Sequence, residues 1–292
     1  MTAKLTLAIL NLPIALFKSL RIIVHLGYGV CQTILFPIFP ENLQRRLLKI
    51  WSRKLLDILE IRLTIDGILP EKNMDGCLLV SNHVSWLDIF VINALYPTQF
   101  IAKAEVRDWP VIGWLCRKTG THFIERTQRR ETTRTNSKMV QALKQGATIG
   151  LFPEGTTTDG SHVAPFHAAM LQPAIDAGVR VHPIGLRYFD RNVQPSITVP
   201  FTGETTLLAS LWAILCSHKQ TARVSFINFD SSNYADRKSL AHSAREAIAA
   251  RLQIPLPAVE RASPSSAHKH VPESANTTYG LLLDPAAQPQ RD

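Results

Sequence analysis

The sequence predicts an α/β fold: a mixed, largely parallel sheet flanked by helices, with an N-terminal membrane-associated helical segment. Three observations carry that expectation. Past Asp66-Gly67, short apolar runs alternate with longer helix-like stretches, the pattern of strands and crossover helices. Glycines at 120, 146 and 178 stand just past three of the helix-like stretches, where a left-handed closing residue is expected. From residue 5 to residue 39 the chain is dominated by apolar residues, interrupted mainly by Lys18 and Arg21.

The N-terminal stretch comes first in order. Residues 22–39 approach the lower length limit of a spanning helix, although His25, Gln32 and Pro37 interrupt them. The stretch is long for a cleaved signal peptide, and no A-x-A-like site stands out. Arg45, Arg46, Lys49, Arg53 and Lys54 follow, set among Leu47, Leu48, Trp51, Leu55 and Leu56. That pattern is a basic amphipathic helix, suited either to an anionic interface or to packing on the domain with a solvated basic face. Its position directly after the apolar segment favours the membrane, with the positive edge on the cytoplasmic side.

Within the sheet-forming region, strands are predicted at 78–81, 100–103, 122–124, 148–152, 181–186, 197–201 and 224–229. Helices are predicted at 86–95, 111–118, 132–144, 168–177, 205–216 and 237–252, with Pro110 at the start of the second. Residues 1–60 are therefore assigned to membrane-associated helices and 61–254 to the α/β domain. From 255 to 292 the composition shifts to Pro, Ala, Ser and His, which predicts a disordered tail.

A chain of 292 residues with net charge +9 favours anionic partners. Nucleic acid is set aside, because no RNP-like strand, zinc-finger spacing or recognition-helix signature occurs. An anionic membrane surface is the expected partner. Cys31, Cys77, Cys116 and Cys216 are scattered among apolar neighbours without a C-x-x-C pair, so buried free thiols are expected and no metal site.

Four segments carry possible chemistry. In Asn82-His83-Val84-Ser85-Trp86-Leu87-Asp88 a histidine and an aspartate flank a strand-to-helix junction. They can form a general base and its orienting partner, provided His83 lies before the helix and folds back over its first turn. The same residues also read as a capping box, with Ser85 as N-cap and Asp88 at N3. Both readings stay open. Ser85 is no hydrolase nucleophile on sequence grounds, because the chain lacks a G-x-S-x-G elbow.

Phe123-Ile124-Glu125-Arg126 ends a strand, and Arg126 could clamp a phosphate or carboxylate or be a plain surface arginine. Leu151-Phe152-Pro153-Glu154-Gly155-Thr156 runs a buried strand into a carboxylate with no obvious structural partner nearby. Gly155 would let backbone approach a ligand. Val181-His182-Pro183-Ile184 holds a proline that predicts a sheet edge or a bulge.

In this order the four segments resemble the glycerolipid acyltransferase family, best known for acylating lysophosphatidic acid. The resemblance runs from residue 78 to residue 186 without a break in order. It implies that His83 removes the proton of an acceptor hydroxyl while Asp88 orients it. Arg126, Glu154, Gly155 and Thr156 would then bind the acceptor, with Lys103 near its head group, and Pro183 would lie on the acyl-donor side. No cofactor is implied. The co-substrate is an acyl-carrier protein or coenzyme A thioester, the acceptor a lysolipid, and the location the cytoplasmic face of a bacterial inner membrane. One position departs from the family pattern. Many lysophosphatidate acyltransferases carry arginine where this chain has Thr157, and threonine-rich versions resemble lyso-ornithine lipid acyltransferases, whose acceptor has no phosphate.

Overall fold

A computed structural model describes residues 2–67, 76–109, 111–124, 129–232, 234 and 236–257, with side chains for all of these except 2–11, 103 and 129–133. Arg126, Pro110, the side chain of Lys103 and most of the expected tail lie outside the described residues.

The chain begins with α1 (Thr2–Ile34) and, after a 3-10 turn at Phe36–Ile38, α2 (Glu41–Ile58). Within α1, Leu12–Ile34 is long and apolar enough to cross a membrane. Its polarity is turned inside out. The buried stripe is Ala15, Lys18, Ile22, His25, Gly29, Gln32 and Thr33, whereas Leu16, Phe17, Leu20, Ile23, Val24 and Tyr28 face outward. Lys18 pairs with Glu60 at 3.1 Å, and the His25 ring stacks on Trp51 of α2 at 4.5 Å. Gly29 makes that contact possible: a Cβ there would sit 2.6 Å from Trp51 Nε1.

The amphipathic helix α2 forms as expected but spends most of its apolar side on protein. Trp51, Leu55, Leu56 and Ile58 are buried in the main core, and Trp51 meets Phe90 at 5.7 Å. Arg46, Arg53 and Lys54 remain exposed. The packed-helix reading is the one realised here. Of the four cysteines, only Cys77 is buried; Cys31 is exposed on α1, contrary to the expectation for all four.

Seven strands follow among the described residues: β1 (Ile61–Asp66), β2 (Leu78–Ser81), β3 (Gln99–Lys103), β4 (His122–Ile124), β5 (Ile149–Leu151), β6 (Val181–Phe189) and β7 (Gln220–Phe226). Their order is β1-β7-β6-β2-β5-β3-β4, and every neighbouring pair is parallel except β6 with β7. The mixed, largely parallel sheet is thus confirmed. Helices α3 (Asp88–Asn93), α4 (Ile112–Lys118), α5 (Arg129–Lys144), α6 (Gln172–Ala177), α7 (Leu207–Cys216) and α8 (Arg237–Leu252) complete the fold. Gly178 closes α6 with φ 67°, the left-handed conformation expected of it.

Strand periodicity explains the two-sided core. Leu79 enters the cluster that holds Trp51, Leu87 and Phe152, while Leu78 and Val80 enter the opposite one with Met139, Leu143 and Leu151. Burying each such side chain contributes about 1.5–3 kcal/mol. A strand buried on both faces must read as a continuous apolar run, as this one does.

Three local expectations fail. Residues 197–201 form no strand; Ser196 Oγ caps Thr198 N and Val199 N there, and Phe201 N bonds Val84 O at 2.9 Å. The first strand, β1, is missing from the expected set, although Ile61, Leu63 and Ile65 alternate with Arg62, Thr64 and Asp66 as in a half-buried strand. Pro183 sits in an interior strand in continuous register with Val80, neither edge nor bulge. Its missing N–H costs nothing for a geometric reason. Val181 N–H turns away from β2 to Ser231 Oγ, and Pro183, two residues on, faces the same side, where pairing with β7 starts only at Ile184.

Candidate active site

Parallel pairing of β2 with β5 places the loops after both strands side by side at the carboxyl end of the sheet, the usual ligand-binding edge of open α/β sheets. The loop after β2 carries His83. Asn82 fixes its root: the buried amide donates to Leu186 O at 2.9 Å and accepts from Leu186 N at 2.8 Å. The peptide of His83 is then held from both sides. Its N–H donates to Glu154 Oε1 at 2.7 Å, and its carbonyl accepts from Thr158 N at 2.8 Å.

His83 Nδ1–H donates to Asp88 Oδ2 at 2.8 Å. The tautomer follows from the hydrogen-bond network, since an ionised carboxylate only accepts. The imidazole is about one-fifth exposed while Asp88 is fully buried. The ring lies flat on Phe152 at 4.1 Å, and Phe152 on Phe100 at 5.7 Å. Asp88 Oδ2 also accepts from Val84 N at 2.7 Å and Ser85 N at 3.0 Å. The dyad forms, but the capping box with Ser85 as N-cap does not: Leu87 precedes α3 without a side-chain cap, and the Asp88 carboxylate satisfies the loop's backbone donors while it orients the imidazole. Helix α3 starts at Asp88 rather than at 86, because the chain turns once around this carboxylate before winding. Ser85 is buried, its Oγ directed to Leu87 N at 3.4 Å.

Sequence reasoning missed Tyr188. Its buried hydroxyl donates to Asp88 Oδ1 at 2.6 Å, across 100 residues of chain. Burial, with Asp88 beside it, pushes the phenol well above its ordinary range, so it stays protonated and remains a donor. Nothing local to residue 188 signals this, since only the pairing of β6 with β2 brings it near the loop. Tyr188→Phe deletes one donor to a buried charge, worth about 1.5–3 kcal/mol. We expect lower thermal stability and a kcat reduced about tenfold at unchanged acceptor KM, read from melting curves and steady-state kinetics.

Glu154 corrects the expectation that it lacks structural partners. It is buried, Oε1 on His83 N and Oε2 on Ala164 N at 2.9 Å. Burial pushes its carboxyl up from 4.5 to about 7; the two N–H donors pull down, and the Asp88 charge adds to the rise. Between those values the folded chain holds a proton that the unfolded chain has released, so stability falls as pH rises from about 4.5 to about 7. At about 1.4 kcal/mol per pH unit the full effect is on the order of 3–4 kcal/mol. Glu154→Gln cannot ionise. Its melting temperature should decline less than that of the parent between pH 5 and 8, and parallel declines would contradict the assignment.

The remaining candidates disperse. Gly155, φ 73°, and exposed Thr156 lie on the same loop as Glu154. Thr157 donates its hydroxyl to Phe201 O. Pro183 stands one strand over, in β6. A basic cleft of about 450 Å³, lined by Arg107, His122, Arg134 and Lys138 among others, opens beside β4 and does not include His83.

An imidazole held by a buried carboxylate, at the carboxyl edge of a mixed sheet, is an arrangement that can activate a hydroxyl. The model of the Acyltransferase family matches residues 62–187. Over 212 residues, 72% of this chain and 82% of the relative, the chain is 38% identical to a 1-acyl-sn-glycerol-3-phosphate acyltransferase of Neisseria meningitidis serogroup B. It is 36% identical to a lyso-ornithine lipid O-acyltransferase of Pseudomonas aeruginosa, over 70% of this chain and 78% of that one. The fold is that of the 1-acyl-sn-glycerophosphate acyltransferase PlsC from Thermotoga maritima, with a TM-score of 0.62 at 21% identity over 84% of this chain and 95% of that one. The chain belongs to the acyltransferase family and is an acyltransferase.

Proposed function

We propose that this chain transfers a fatty acyl group from an acyl thioester to the free hydroxyl of a lysolipid, with 1-acylglycerol-3-phosphate as acceptor and phosphatidic acid as product. The 2.8 Å contact between His83 Nδ1 and Asp88 Oδ2 carries this reading. With Nδ1–H committed, Nε2 takes the proton of the acceptor hydroxyl. The hydroxyl oxygen bonds to the thioester carbonyl carbon, the tetrahedral intermediate collapses, and the C–S bond breaks. The departing thiolate recovers the proton from imidazolium, which Asp88 stabilises while it lasts. No acyl-enzyme forms. The donor is an acyl-carrier protein or coenzyme A thioester, whose reacting bond is the same.

Gly155 and Thr156 are assigned to the acceptor, as Lys103 and Arg126 are by their place in the motifs, and Pro183 is assigned to the acyl-donor side. Glu154 acts through the His83 peptide, because both its oxygens are taken by backbone. The outward apolar face of α1 supports a seat in the membrane, at the cytoplasmic face of a bacterial inner membrane.

One observation favours a second acceptor. Thr157 replaces a cation, and its hydroxyl is spent on Phe201 O, leaving no phosphate donor from that side chain. Lyso-ornithine lipid, which has no phosphate, fits such a loop. Purified enzyme is offered lysophosphatidate, lyso-ornithine lipid and lysophosphatidylcholine with each labelled acyl donor. Acylation of lysophosphatidate is expected, preference for lyso-ornithine lipid moves the acceptor, and no transfer to any defeats the reading.

A further inference from the structure

Helix α7 is a surface helix built like a core helix. From Leu207 to Cys216 it contains no charged residue. Its inner face, Ser210, Ile214 and Leu215, is buried, yet its outer face is Leu208, Ala209, Trp212 and Ala213. Leu208 is 77% exposed and Trp212 44%. A helix lying against water would carry charge on that face.

Three observations point to what covers it. First, α7 packs against α1, and α1's Lys18 Nζ reaches Ser217 O just past the end of α7. The outward face of α1 is equally apolar, with Leu16, Phe17 and Leu20 each more than half exposed. Two neighbouring helices therefore expose apolar side chains together. Second, Trp212 has the amphipathic ring enriched at membrane–water boundaries, and exposed His218 and Lys219 follow the helix as polar and cationic flanks. Third, α7 touches the reacting loop. Trp86, between His83 and Asp88, donates Nε1–H to Ser210 Oγ at 3.1 Å, and Ile214 and Leu215 share a core cluster with Val84 and Leu87.

We propose that α7 is a second membrane-contacting helix, which with α1 seats the His83 loop against the acyl-chain boundary of the bilayer from which the acceptor is drawn. This rests on the lysolipid acyltransferase reading and extends it to a surface outside the four motif segments. Ten residues span about 15 Å, too short to cross a bilayer, so α7 lies along the interface.

The full chain is reconstituted into phosphatidylglycerol–phosphatidylethanolamine vesicles whose acyl chains carry bromine. The Trp212 signal is the emission difference between the parent and Trp212→Phe, and quenching of that difference is expected. In parallel, Leu208→Glu/Trp212→Gln should lower kcat/KM on vesicle-borne long-chain lysolipid about tenfold or more, since large apolar side chains lose their burial. Activity on a water-soluble short-chain lysolipid should be unchanged. Absence of quenching overturns the proposal, as does an equal loss on both substrates. A parent dimer that the double variant splits, measured by light scattering in detergent, would assign the face to a second copy instead and likewise overturn it. If the acyltransferase reading itself fails, neither substrate turns over, while the quenching measurement still reports on α7.

Discussion

Replacing His83 with alanine is expected to lower kcat/KM by roughly three orders of magnitude, the middle of the range for loss of a positioned general base. The loss should fall on kcat, because the imidazole acts on the proton in flight and not on the bound ground state. Folding should survive. The loop is held through the His83 peptide, N–H to Glu154 and carbonyl to Thr158, and alanine keeps both contacts. The stacking of the ring on Phe152, about 1 kcal/mol, is lost together with the Nδ1–H to Asp88 hydrogen bond, while Asp88 keeps its donors from Val84, Ser85 and Tyr188. Steady-state kinetics beside a melting curve check this, and a well-folded, fully active variant would remove His83 from the chemistry.

Asp88→Asn should reduce kcat roughly a hundred- to a thousandfold, less than a typical carboxamide replacement in a His–carboxylate pair. The usual damage is a reversed amide that presents N–H to the imidazole and forces the wrong tautomer. Here the backbone forbids that reversal. Val84 N–H, Ser85 N–H and His83 Nδ1–H all converge on Oδ2, so the amide oxygen must occupy that position. The amide nitrogen then faces the Tyr188 oxygen, which can accept. Tautomer and geometry persist, and only the charge that stabilises imidazolium is gone. Kinetics of the variant, with imidazole NMR to identify the protonated nitrogen, test this; an Nε2–H tautomer would show that the three donors do not control the amide.

Much of the site was legible because its contacts are local. His83 and Asp88 lie on one short segment, and a buried strand before them with a helix after them leaves few ways for the two side chains to be arranged. The choice between cap and dyad could not be made from sequence, since the oxygen that orients the imidazole also takes the Ser85 N–H that a capping box would use. Glu154 was misjudged for a different reason. Its donors, the N–H groups of His83 and Ala164, carry no side-chain signature, and the former is 71 residues away. Tyr188 was invisible on the same ground. The failed strand at 197–201 has apolar residues in the right rhythm, but its Phe201 N–H is engaged by the Val84 carbonyl in the loop beside the site.

The inverted polarity of α1 bears on how a water-soluble form of this enzyme could be made. Deleting the helix would strip Trp51 of His25, leave Glu60 without Lys18 and uncover the core beneath. The apolarity and the fold's dependence on the helix sit on opposite sides of the same cylinder. Solubility is better sought by recolouring the outer side, at Leu16, Phe17, Leu20, Ile23 and Val24, while every inward residue is left as it stands. Such a protein would keep its scaffold and lose its address.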